Sequence, residues 1–444
     1  MSHYTKQDIL DMVEEEDVEF IRLQFTDLFG TLKNVAITKS QLERALDNQY
    51  VFDGSSIEGF ARVEESDMFL HPDLDTFCIF PWRPQQGKVA RIICDVYDIS
   101  GKPYAADPRG KLKSVLAQAK EMGYTFQVGP ECEFFLLETD DEGLPTLNIN
   151  ERAGYFDLGP NDLGENARRD IVLTMEDLGV EIEASHHEIA AGQHEVDLKY
   201  GEALSIADAF MTFKLAVKTV AKRHGMFASF MPKPKSDVAG SGVHLNLSLI
   251  DENGRNIFYD EKGRYGLSKE AYYFMGGIMK HVQGMTLITN PLVNSYKRIV
   301  PGYEAPTDVA WSYMNRTPLL RIPPVKNESK RIELRSPDPS MNPYLTLAVC
   351  LAAGLDGIKN QIKPPAEVQM NVYSMSASEK ESLNIEHLPE NLKEAMEAFE
   401  KDQFIWDVLG DSICKKLLKF KQKEWMTYRT QVTGWEIDEY LHKI

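Results

Sequence analysis

The sequence predicts a mixed α and β fold in two parts, a small N-terminal sheet and a larger region of helices and strands. The chain has 444 residues, enough for two or three domains with a sizeable core. Early in the chain, apolar Ile21, Leu23 and Phe25 alternate with polar residues, as in a half-buried strand. Turn-forming residues at 101–103 and 107–108 then mark a linker between the two parts.

The N-terminal part is predicted to contain more strand than helix. Thr5 and Asp8 form a capping box that opens a helix ending near Glu16. Gly30 turns the chain between the first two strands, and Ser40 is expected to cap a second helix. The predicted strands are Ile21–Phe25, Leu32–Ile37, Phe77–Phe80 and Val89–Val96, and the second helix ends at Leu46.

The larger part alternates between helical and strand patterns. Residues 290–330 are rich in proline and aromatic residues, and a loop of this length inside a domain is usually functional. From Glu390 to the end the pattern is helical. The other predicted helices are Pro108–Glu121, Asn166–Leu178, Ser205–His224, Lys269–Leu287 and Asn342–Lys359. The predicted strands are those around Glu131, Val180–Ile189, Glu195–Lys199, Phe227–Met231, Val243–Leu249 and Arg331–Arg335.

Composition restricts the partners and the compartment of the protein. A net charge of −19 predicts that neither nucleic acid nor an anionic membrane is bound. The five cysteines are odd in number and lack a Cys-x-x-Cys spacing, which predicts a reducing, cytoplasmic location. The N-terminus is polar and acidic, unlike a signal peptide. The longest apolar run, at 345–355, is shorter than the ~20 residues that span a bilayer.

Two glutamates on one apolar strand are the most informative local feature. Glu131 and Glu133 lie two residues apart beside Phe134 and Phe135, so both should project from the same face of a buried strand. Two carboxylates on such a face repel each other unless cations neutralise them. Paired arginine or lysine side chains would do this, and so would a divalent metal ion at each carboxylate.

Four further residues on predicted strands carry metal-ligand chemistry. Glu188 and Glu195 flank a turn at 191–192 and would lie side by side in a hairpin. His244 follows Gly-Ser-Gly, although a single histidine is more often structural. Glu333 shares a strand face with two arginines, a pattern that a surface strand with internal salt bridges would also show.

Together, these five carboxylates and one imidazole favour Mg²⁺ or Mn²⁺ over zinc, which prefers more histidine or cysteine. The spacing of Glu131 and Glu133 suggests ions further apart than the ~4 Å of carboxylate-bridged hydrolases. Ions spread in this way would hold the phosphates of a nucleotide between them.

An arginine-rich block supplies positive charge within the acidic chain. Arg298, Arg316, Arg321, Arg331 and Arg335 fall within 38 positions, and guanidinium groups bind carboxylate and phosphate bidentately. Metals and arginines together predict a substrate that is both phosphorylated and carboxylated. The nearby segment 301–306 is interpreted either as a lid carrying Glu304 or as a rigid proline turn.

A loop of small polar residues in the N-terminal part, Asp53-Gly-Ser-Ser56, has two interpretations of its own. Turn chemistry alone favours an ordinary turn. A functional loop would hold one acid and two hydroxyls on a tight backbone.

The chain closely resembles bacterial class I glutamine synthetases, nearly from end to end. The motifs that carry the resemblance are Asp53-Gly-Ser-Ser56, Gly129-Pro-Glu-Cys-Glu-Phe134, His186-His-Glu188, Gly240-Ser-Gly-Val-His244, Asn294-Ser-Tyr-Lys-Arg298, Val300-Pro-Gly-Tyr-Glu-Ala-Pro306, Asn315-Arg316 and Arg331-Ile-Glu-Leu-Arg335. The resemblance implies an α+β fold. A β-grasp domain would span residues 1–102, and a catalytic domain with a curved antiparallel sheet flanked by helices would span 103–444.

The resemblance also implies a role for each site residue. One metal would be held by Glu133, Glu188 and Glu195, and the other by Glu131, His244 and Glu333. Glutamate would contact Gly240, His244, Arg298, Glu304 and Arg335. Ammonium would contact Asp53, Ser56, Tyr155 and Glu188. ATP would contact Glu183, Tyr200, Asn246, Ser248, Arg316, Arg321 and Arg331, with Asp53, Glu304 and Arg316 as catalytic residues.

The implied reaction joins ammonia to the side-chain carboxylate of L-glutamate through γ-glutamyl phosphate, giving glutamine, ADP and phosphate. ATP would be a substrate, and two or more Mg²⁺ or Mn²⁺ ions would serve as cofactors. Family members form dodecamers of two stacked six-membered rings with sites shared between subunits. On that basis Asp53 would serve the site of the adjacent subunit.

Three positions distinguish this chain within the family. Ala239 stands where the family usually has Asn, so one neutral hydrogen bond to glutamate, about 0.5–1.5 kcal/mol, is expected to be lost. Tyr373 is followed by Ser-Met, which argues against regulation by adenylylation. Arg62 matches the Gram-positive branch, which implies feedback inhibition by glutamine and motivates the hypothesis of a transcription-regulator partner.

Two alternative functions share parts of this pattern. A γ-glutamyl-amine ligase on the same fold would take a polyamine in place of ammonia, but Asp53, Ser56 and Tyr155 favour ammonia. A non-catalytic, ring-forming regulatory protein would be expected to lack metal ligands or phosphate-binding arginines, whereas this sequence keeps the complete set.

Overall fold

The N-terminal part forms a small sheet, as predicted, and the structure shows that this sheet is mixed. The computed structural model describes residues 3–57, 59, 67–83 and 86–444. Within these ranges six strands pair in the order β2-β1-β6-β4-β3, with β5 beside β6. Strands β1 and β6 are parallel, and the other pairs are antiparallel. The elements are α1 Lys6–Glu15, β1 Val18–Thr26, β2 Leu32–Thr38, α2 Leu42–Leu46, β3 Tyr50–Asp53, β4 Asp67–Pro72, β5 Cys78–Ile79 and β6 Lys88–Tyr97.

Local chemistry explains which predictions succeeded in this sheet. The capping box of Thr5 and Asp8 is confirmed at the start of α1. The prediction that Ser40 caps α2 is wrong, because Lys39–Gln41 form a 3₁₀ turn and α2 begins at Leu42 without a side-chain cap. Strands β3 and β4 are not predicted by any pattern in the sequence. Each is short, and β4 ends in Pro72, a residue that counts against a strand.

The second sheet is built around one long strand. In the described residues its nine strands follow the order β13-β14-β15-β12-β7-β9-β8, and β10 and β11 also pair with β7. All pairs are antiparallel except β13 with β14. The strands are β7 Thr125–Glu138, β8 Ile182–His187, β9 Gln193–Leu198, β10 Gly201–Glu202, β11 Met226–Ser229, β12 Val243–Ile250, β13 Trp311–Tyr313, β14 Leu320–Ile322 and β15 Ile332–Leu334.

Helices cover the side of this sheet that faces away from Glu131 and Glu133. Cys132 and Phe134 alternate with the two glutamates and are fully buried in the main hydrophobic core. The predicted long helices are confirmed to within a few residues, whereas the C-terminal tail is broken into four helices. The helices are α3 Pro108–Glu121, α4 Glu165–Asp177, α5 Ala203–Arg223, α6 Lys269–Thr289, α7 Ser295–Arg298, α8 Pro343–Asn360, α9 Ala377–Ser382, α10 Leu392–Lys401, α11 Gln403–Leu409, α12 Asp411–Arg429 and α13 Gly434–Tyr440.

A buried arginine ties the two sheets together. Arg109, in the first turn of α3, forms ion pairs with Asp73 and Asp95 of the N-terminal part, each at 2.7 Å. It also pairs with Asp208 on α5 at 2.8 Å. Separating the two parts of the chain would leave the buried charges of this network uncompensated, which is costly. These contacts therefore hold the N-terminal sheet against the larger part.

Helices α6 and α8 approach so closely that only glycine fits at their crossing. A Cβ atom at Gly277 would lie 2.0 Å from the carbonyl oxygen of Ala353 on α8. We therefore expect Gly277→Ala to destabilise the protein by about 1–3 kcal/mol, despite the higher helix propensity of alanine. Chemical denaturation would measure the change. Gly434→Ala is the matched control, because a Cβ there meets nothing within 4 Å and should leave stability unchanged.

Neither a membrane span nor a disulfide is found in the part of the chain that the structure describes. None of its helices has the length and apolar character needed to cross a bilayer. All five cysteines carry free thiols, and four of them are buried. Cys132 is among the buried ones, as expected from its position between Glu131 and Glu133.

Candidate active site

A cavity of about 850 Å³ lies over the face of the second sheet that carries the paired glutamates. Most of the residues predicted to bind metal or glutamate line this cavity, called the larger cavity because a smaller one adjoins it. They are Glu131, Glu133, Glu188, Glu195, Gly240, His244, Arg298, Glu304 and Arg335, together with Tyr155 and Arg316. Residues from three strands, one short helix and several loops therefore converge on one space, although they are far apart in the chain.

Strand register brings the acidic groups together. On β7, Glu131 lies opposite His244 of β12 on one side and opposite Asp197 of β9 on the other. Glu133, two residues further on, lies opposite Glu195 of β9. Side chains opposite each other on neighbouring strands share a face, so four carboxylates and an imidazole project into the same region.

The first group of possible metal ligands contains Glu131, His244 and Glu333, whose ligand atoms lie within 4.8 Å of one another. The Nδ1 of His244 is 3.3 Å from Glu131 Oε2 and 4.0 Å from Glu333 Oε1. Burial raises the pKa of Glu333, but Arg335, His244 and Arg321 outweigh it and lower the pKa to about 2. The hypothesis of a purely structural His244 is therefore disfavoured, because its ring faces two carboxylates of the cavity.

The second group combines two overlapping sets, which share Glu195 and bring Glu133 and Glu188 together with His244 and His186. Glu133, Glu195 and His244 have ligand atoms within 4.8 Å of one another, as do His186, Glu188 and Glu195. Burial and the neighbouring Glu133 raise the pKa of Glu188 to about 7, and they raise that of Glu195 as well. These shifts show that the negative charges are crowded and incompletely compensated by the protein.

The hairpin prediction needs one correction. Glu195 is paired across the hairpin with His186, not with Glu188, because β8 ends at His187 and Glu188 lies in the turn. His186 Nε2 is 3.2 Å from Glu195 Oε1, and its Nδ1 is 3.6 Å from Glu188 Oε1. The imidazole thus lies between the two carboxylates.

The donor set fits divalent cations with oxygen-preferring chemistry. Both groups consist of carboxylate oxygens and imidazole nitrogens, and none of the five cysteines lines the cavity. Carboxylate-rich sets with one imidazole suit Mg²⁺ or Mn²⁺. A cation at each group would also relieve the repulsion that raises the pKa of Glu188 and Glu195.

Two buried arginines also line the cavity, Arg298 and Arg335. Arg298 Nη1 donates to the carbonyl of Ser336 at 2.7 Å, and its Nη2 donates to the carbonyl of Arg335 at 3.1 Å. Arg335 forms an ion pair with Glu333, and its buried Nε has no hydrogen-bond partner among the described residues. This orphaned donor and the two guanidinium charges suit an anionic substrate group.

The two glycines before His244 are needed for this approach. A Cβ at Gly242 would lie 2.3 Å from Arg298 Nη2, and one at Gly240 would lie 2.3 Å from the carbonyl oxygen of Pro232. The Gly-Ser-Gly motif therefore lets the Arg298 guanidinium lie against the backbone beside His244. Ala239 lines the cavity directly before this motif.

The strand with Glu333 is buried, so the surface-strand interpretation of its pattern is wrong. Ile332, Glu333 and Leu334 are each at most 1% exposed. The internal salt bridge nevertheless exists, since Arg335 and Arg321 both contact the Glu333 carboxylate. Arg321 is thus directed towards Glu333.

A second, smaller cavity of about 350 Å³ adjoins the first, and Glu131 lines both. Five of the seven residues predicted to bind ATP line this smaller cavity, namely Glu183, Tyr200, Asn246, Ser248 and Arg331. Arg316 instead lines the larger cavity. Asn246 links the two regions, because its Nδ2 donates to Glu131 at 2.8 Å while its Oδ1 accepts from Arg331 Nε at 2.9 Å.

Asp53 and Ser56 lie apart from both cavities of their own chain. Among the described residues neither belongs to the lining of the larger or the smaller cavity. Asp53 is exposed at the end of β3 and accepts hydrogen bonds from the amide and hydroxyl of Ser55 at 2.8 and 2.6 Å. Arg62, the predicted regulatory residue, falls outside the residues that the structure describes.

Several site residues were not predicted. Gln193 lines the larger cavity and donates to Glu133 Oε2 at 3.1 Å, and Asp197 lines the smaller one. Burial and Glu195 raise the pKa of Asp197 to about 9. The alternation of Gln193, Glu195 and Asp197 on one strand, like that of Glu131 and Glu133, was the available signal.

Behind the hairpin, the buried carboxylate of Glu151 supports the turn that carries two of the possible metal ligands. Glu151 Oε1 accepts from His187 Nε2 at 2.6 Å and from the amide of Gly192 at 2.7 Å. Burial raises the pKa of Glu151, but the hydrogen bonds from His187 and from two backbone amides outweigh it and lower the pKa to about 2. Glu151 thereby fixes the turn between Glu188 and Glu195.

The fold and the site together define a two-domain α+β protein whose larger cavity is lined by both acidic groups and arginines and adjoins a second cavity. Comparison with known proteins identifies the family within this class. A sequence profile described as "Glutamine synthetase, beta-Grasp domain" matches residues 17–99. A second profile, described as "Glutamine synthetase, catalytic domain", matches residues 105–440. The chain belongs to the glutamine synthetase family, and the predicted fold class is confirmed.

Full-length relatives agree with this assignment. The glutamine synthetase of Clostridium saccharobutylicum is 58% identical over 443 residues, covering 100% of both chains. That of Staphylococcus aureus strain N315 is 54% identical over 439 residues, covering 99% of this chain and 98% of the relative. The similarity therefore includes both domains.

Solved structures share the same fold. A structure described as a GmaS/ADP complex has a TM-score of 0.89 and 34% sequence identity, covering 98% of this chain and 99% of that one. A cryoEM structure of Plasmodium falciparum glutamine synthetase has a TM-score of 0.87 and 27% identity, covering 99% of each chain.

Proposed function

We infer that the protein is a glutamate–ammonia ligase, which uses ATP to join ammonia to the side chain of L-glutamate and makes glutamine. The observation that carries this function is the convergence of both acidic groups with Arg298 and Arg335 on one cavity, beside a second cavity that shares Glu131. The full-length relatives named glutamine synthetase support the same reaction and do not favour the polyamine-ligase alternative.

We propose specific roles for the groups in the larger cavity. Glu133, Glu188 and Glu195 would hold one divalent cation, and Glu131, His244 and Glu333 the other, with Mg²⁺ or Mn²⁺ as the ion. When bound, the ions supply positive charge that stabilises the transferred phosphoryl group. Glutamate would contact Gly240, His244, Arg298, Glu304 and Arg335, which the lining of the cavity supports.

We propose that the nucleotide occupies the smaller cavity. Glu183, Tyr200, Asn246, Ser248 and Arg331 would contact ATP, and Arg316 and Arg321 would contact its phosphates from the direction of the larger cavity. The location of Arg316 in the larger cavity and the contact of Arg321 with Glu333 support a position near the transferred phosphate. Guanidinium groups there would neutralise charge as the phosphoryl group moves to the glutamate carboxylate.

Ammonium would be bound and deprotonated at the far side of the glutamate. We propose that Tyr155 and Glu188 of one chain meet Asp53 and Ser56 of a neighbouring chain, with Asp53 accepting the proton. Ammonium is not nucleophilic until it loses a proton, so a carboxylate is required there. The exposure of Asp53 away from the cavities of its own chain supports a shared site.

We also propose an assembly, a cellular location and a mode of regulation. The shared site and the family resemblance support a dodecamer of two stacked rings and a division of the chain at residues 102 and 103. Free cysteine thiols support a cytoplasmic location. Feedback inhibition by glutamine through Arg62 and a transcription-regulator partner rest on the resemblance alone.

ADP release with glutamate, ATP and Mg²⁺ or Mn²⁺ tests the function directly. Turnover is expected to depend on ammonium and not on putrescine. Putrescine-dependent turnover would favour the polyamine ligase. The absence of turnover with either amine would favour a non-catalytic protein.

Metal binding is expected to strengthen as pH rises towards neutrality. The pKa of Glu188 is about 7, above that of an ordinary carboxyl, so Glu188 is largely protonated below this pH and must release its proton to bind a cation. The apparent affinity for Mn²⁺ should therefore rise up to about tenfold per pH unit below pH ~7 and level off above it. Calorimetric titration at several pH values would measure this slope. Glu188→Gln should reduce the slope without abolishing it, because the pKa of Glu195 in the same group is also raised, and a flat slope in the unmodified protein would contradict the expectation.

A further inference from the structure

Lys233 is a buried lysine that none of the roles above uses. It is only 6% exposed, and its backbone is held on both sides by Asn294. The Lys233 amide donates to Asn294 Oδ1 at 2.9 Å, and Asn294 Nδ2 donates to the Lys233 carbonyl at 3.0 Å. The side chain therefore starts from a fixed point.

The ammonium group of Lys233 contacts two segments of the larger cavity. Its Nζ donates to the carbonyl of Val238 and lies 3.8 Å from the centre of the Tyr303 ring. No carboxylate forms an ion pair with Lys233 in the described part of the chain. A buried cation is costly without compensation, and this one is compensated by the ring face, by the carbonyl and by the carboxylate of Asp237, which lies beyond ion-pair distance.

These two contacts join the substrate loop to the lid segment. Val238 belongs to the loop 237–240, which lines the cavity beside Arg298, and Tyr303 belongs to the segment 301–306. Lys233 is thus a bridge between the loop expected to bind the amino acid and the segment that carries Glu304.

Near Glu304 the lid segment is also restrained by Arg335, whose Nη2 donates to the Glu304 carbonyl at 3.5 Å. Gly302 and Glu304 both have left-handed backbones, with φ of 94° and 57°, and both are exposed. Such a conformation is uncommon for glutamate and persists only where neighbours hold it. On the far side, Tyr373 donates its hydroxyl hydrogen to the carbonyl of Ala305 at 2.7 Å. Lys233 supplies the corresponding restraint on the near side.

We propose that Lys233 is a positioning residue that holds the lid over the glutamate site through Tyr303. The proposal rests on the ligase function inferred above. During that reaction water can attack the γ-carbonyl carbon of γ-glutamyl phosphate. The bond from that carbon to the phosphate oxygen then breaks, which regenerates glutamate and releases phosphate, so that one ATP is hydrolysed without glutamine. A lid held by Lys233 keeps water from this carbon.

Four single variants of the full-length protein separate charge from packing. Lys233→Met removes the cation at similar volume, and Lys233→Arg retains it. Tyr303→Leu removes the ring, and Tyr303→Phe retains the ring and its face. The measurements are glutamine formed with ammonium, and phosphate released from ATP and glutamate in its absence.

Lys233→Met and Tyr303→Leu should raise the ratio of phosphate released to glutamine formed by about tenfold, as expected for loss of a desolvated cation–π contact. Lys233→Arg and Tyr303→Phe should remain close to the unmodified protein. The double variant Lys233→Met/Tyr303→Leu should match the worse single variant to within about twofold, since both remove the same contact.

An unchanged ratio in Lys233→Met, or equal effects of Tyr303→Leu and Tyr303→Phe, would overturn the proposal. If Lys233→Met fails to fold, the comparison of the two Tyr303 variants still decides it. Absence of glutamine synthesis by the unmodified protein would overturn the function itself. An active protein with an unchanged ratio in these variants would overturn only the role of Lys233.

Discussion

Replacing Glu131 or Glu133 with glutamine should lower the rate of glutamine synthesis by about 10³-fold or more. Each substitution removes a charged oxygen from a different proposed metal site, and glutamine is a far weaker ligand for Mg²⁺ or Mn²⁺. Because the fold is held by the backbone pairing of β7 with β9 and β12, neither change should prevent folding. Circular dichroism and thermal unfolding would confirm that the variants are folded.

The two variants should differ in which ligand they lose. Glu131 lines both cavities and accepts a hydrogen bond from Asn246, so Glu131→Gln should mainly weaken the binding of the metal–nucleotide complex. Glu133 lies beside His244 and is held by Gln193 and the amide of Gly242, close to Arg298. Glu133→Gln should therefore mainly weaken glutamate binding.

Calorimetric titration of ADP and of glutamate into each variant, with Mn²⁺ present, would test this division. Glu138→Gln is the matched control, because Glu138 lies at the end of the same strand and lines neither of the two cavities. It should bind both ligands normally. Equal loss of both ligands in Glu131→Gln and Glu133→Gln would contradict the assignment of the two glutamates to different ions.

The orientation of neighbouring side chains on one strand of this site could be predicted from the sequence, because it depends only on the two-residue period of a strand. Glu131 and Glu133 share a face through the two-residue repeat, and the same repeat identifies the buried Cys132 between them. The choice of partners depends on pairing between strands far apart in the chain. The pairing of Glu131 with His244 joins residues more than a hundred positions apart, and no local pattern encodes that register.

Long-range register also explains two sequence predictions that were wrong, the pairing of Glu195 and the surface position of the strand with Glu333. Glu195 pairs with His186 because β8 ends one residue before Glu188, and a hairpin motif alone does not determine where its strands end. The burial of Glu333 likewise depends on the neighbouring strands β12 and β14. An alternating charged strand looks the same on a surface and in an ionic core, since its pattern describes only which residues share a face.

Replacing Asp53 with alanine should lower the ammonium-dependent rate by about 10²–10⁴-fold while glutamate and ATP still bind. The hydrogen bonds from Ser55 lower the pKa of Asp53, so its carboxylate is ionised and can accept a proton at neutral pH. Because Asp53 is exposed and does not line the cavities of its own chain, the lesion should reside in a neighbouring subunit's site. Asp67→Ala, on the strand paired with that of Asp53, is the matched control and should remain active.

A mixed oligomer distinguishes a shared site from one within a single chain. Co-expression of Asp53→Ala with Glu133→Gln brings together subunits that are each inactive alone. If every site takes Glu133 from one chain and Asp53 from the next, random assembly leaves about a quarter of the sites intact. The mixture should then recover about a quarter of the normal specific activity. A site built from one chain cannot be repaired in this way, so an inactive mixture with normal assembly would mean that Asp53 acts on its own subunit or not at all.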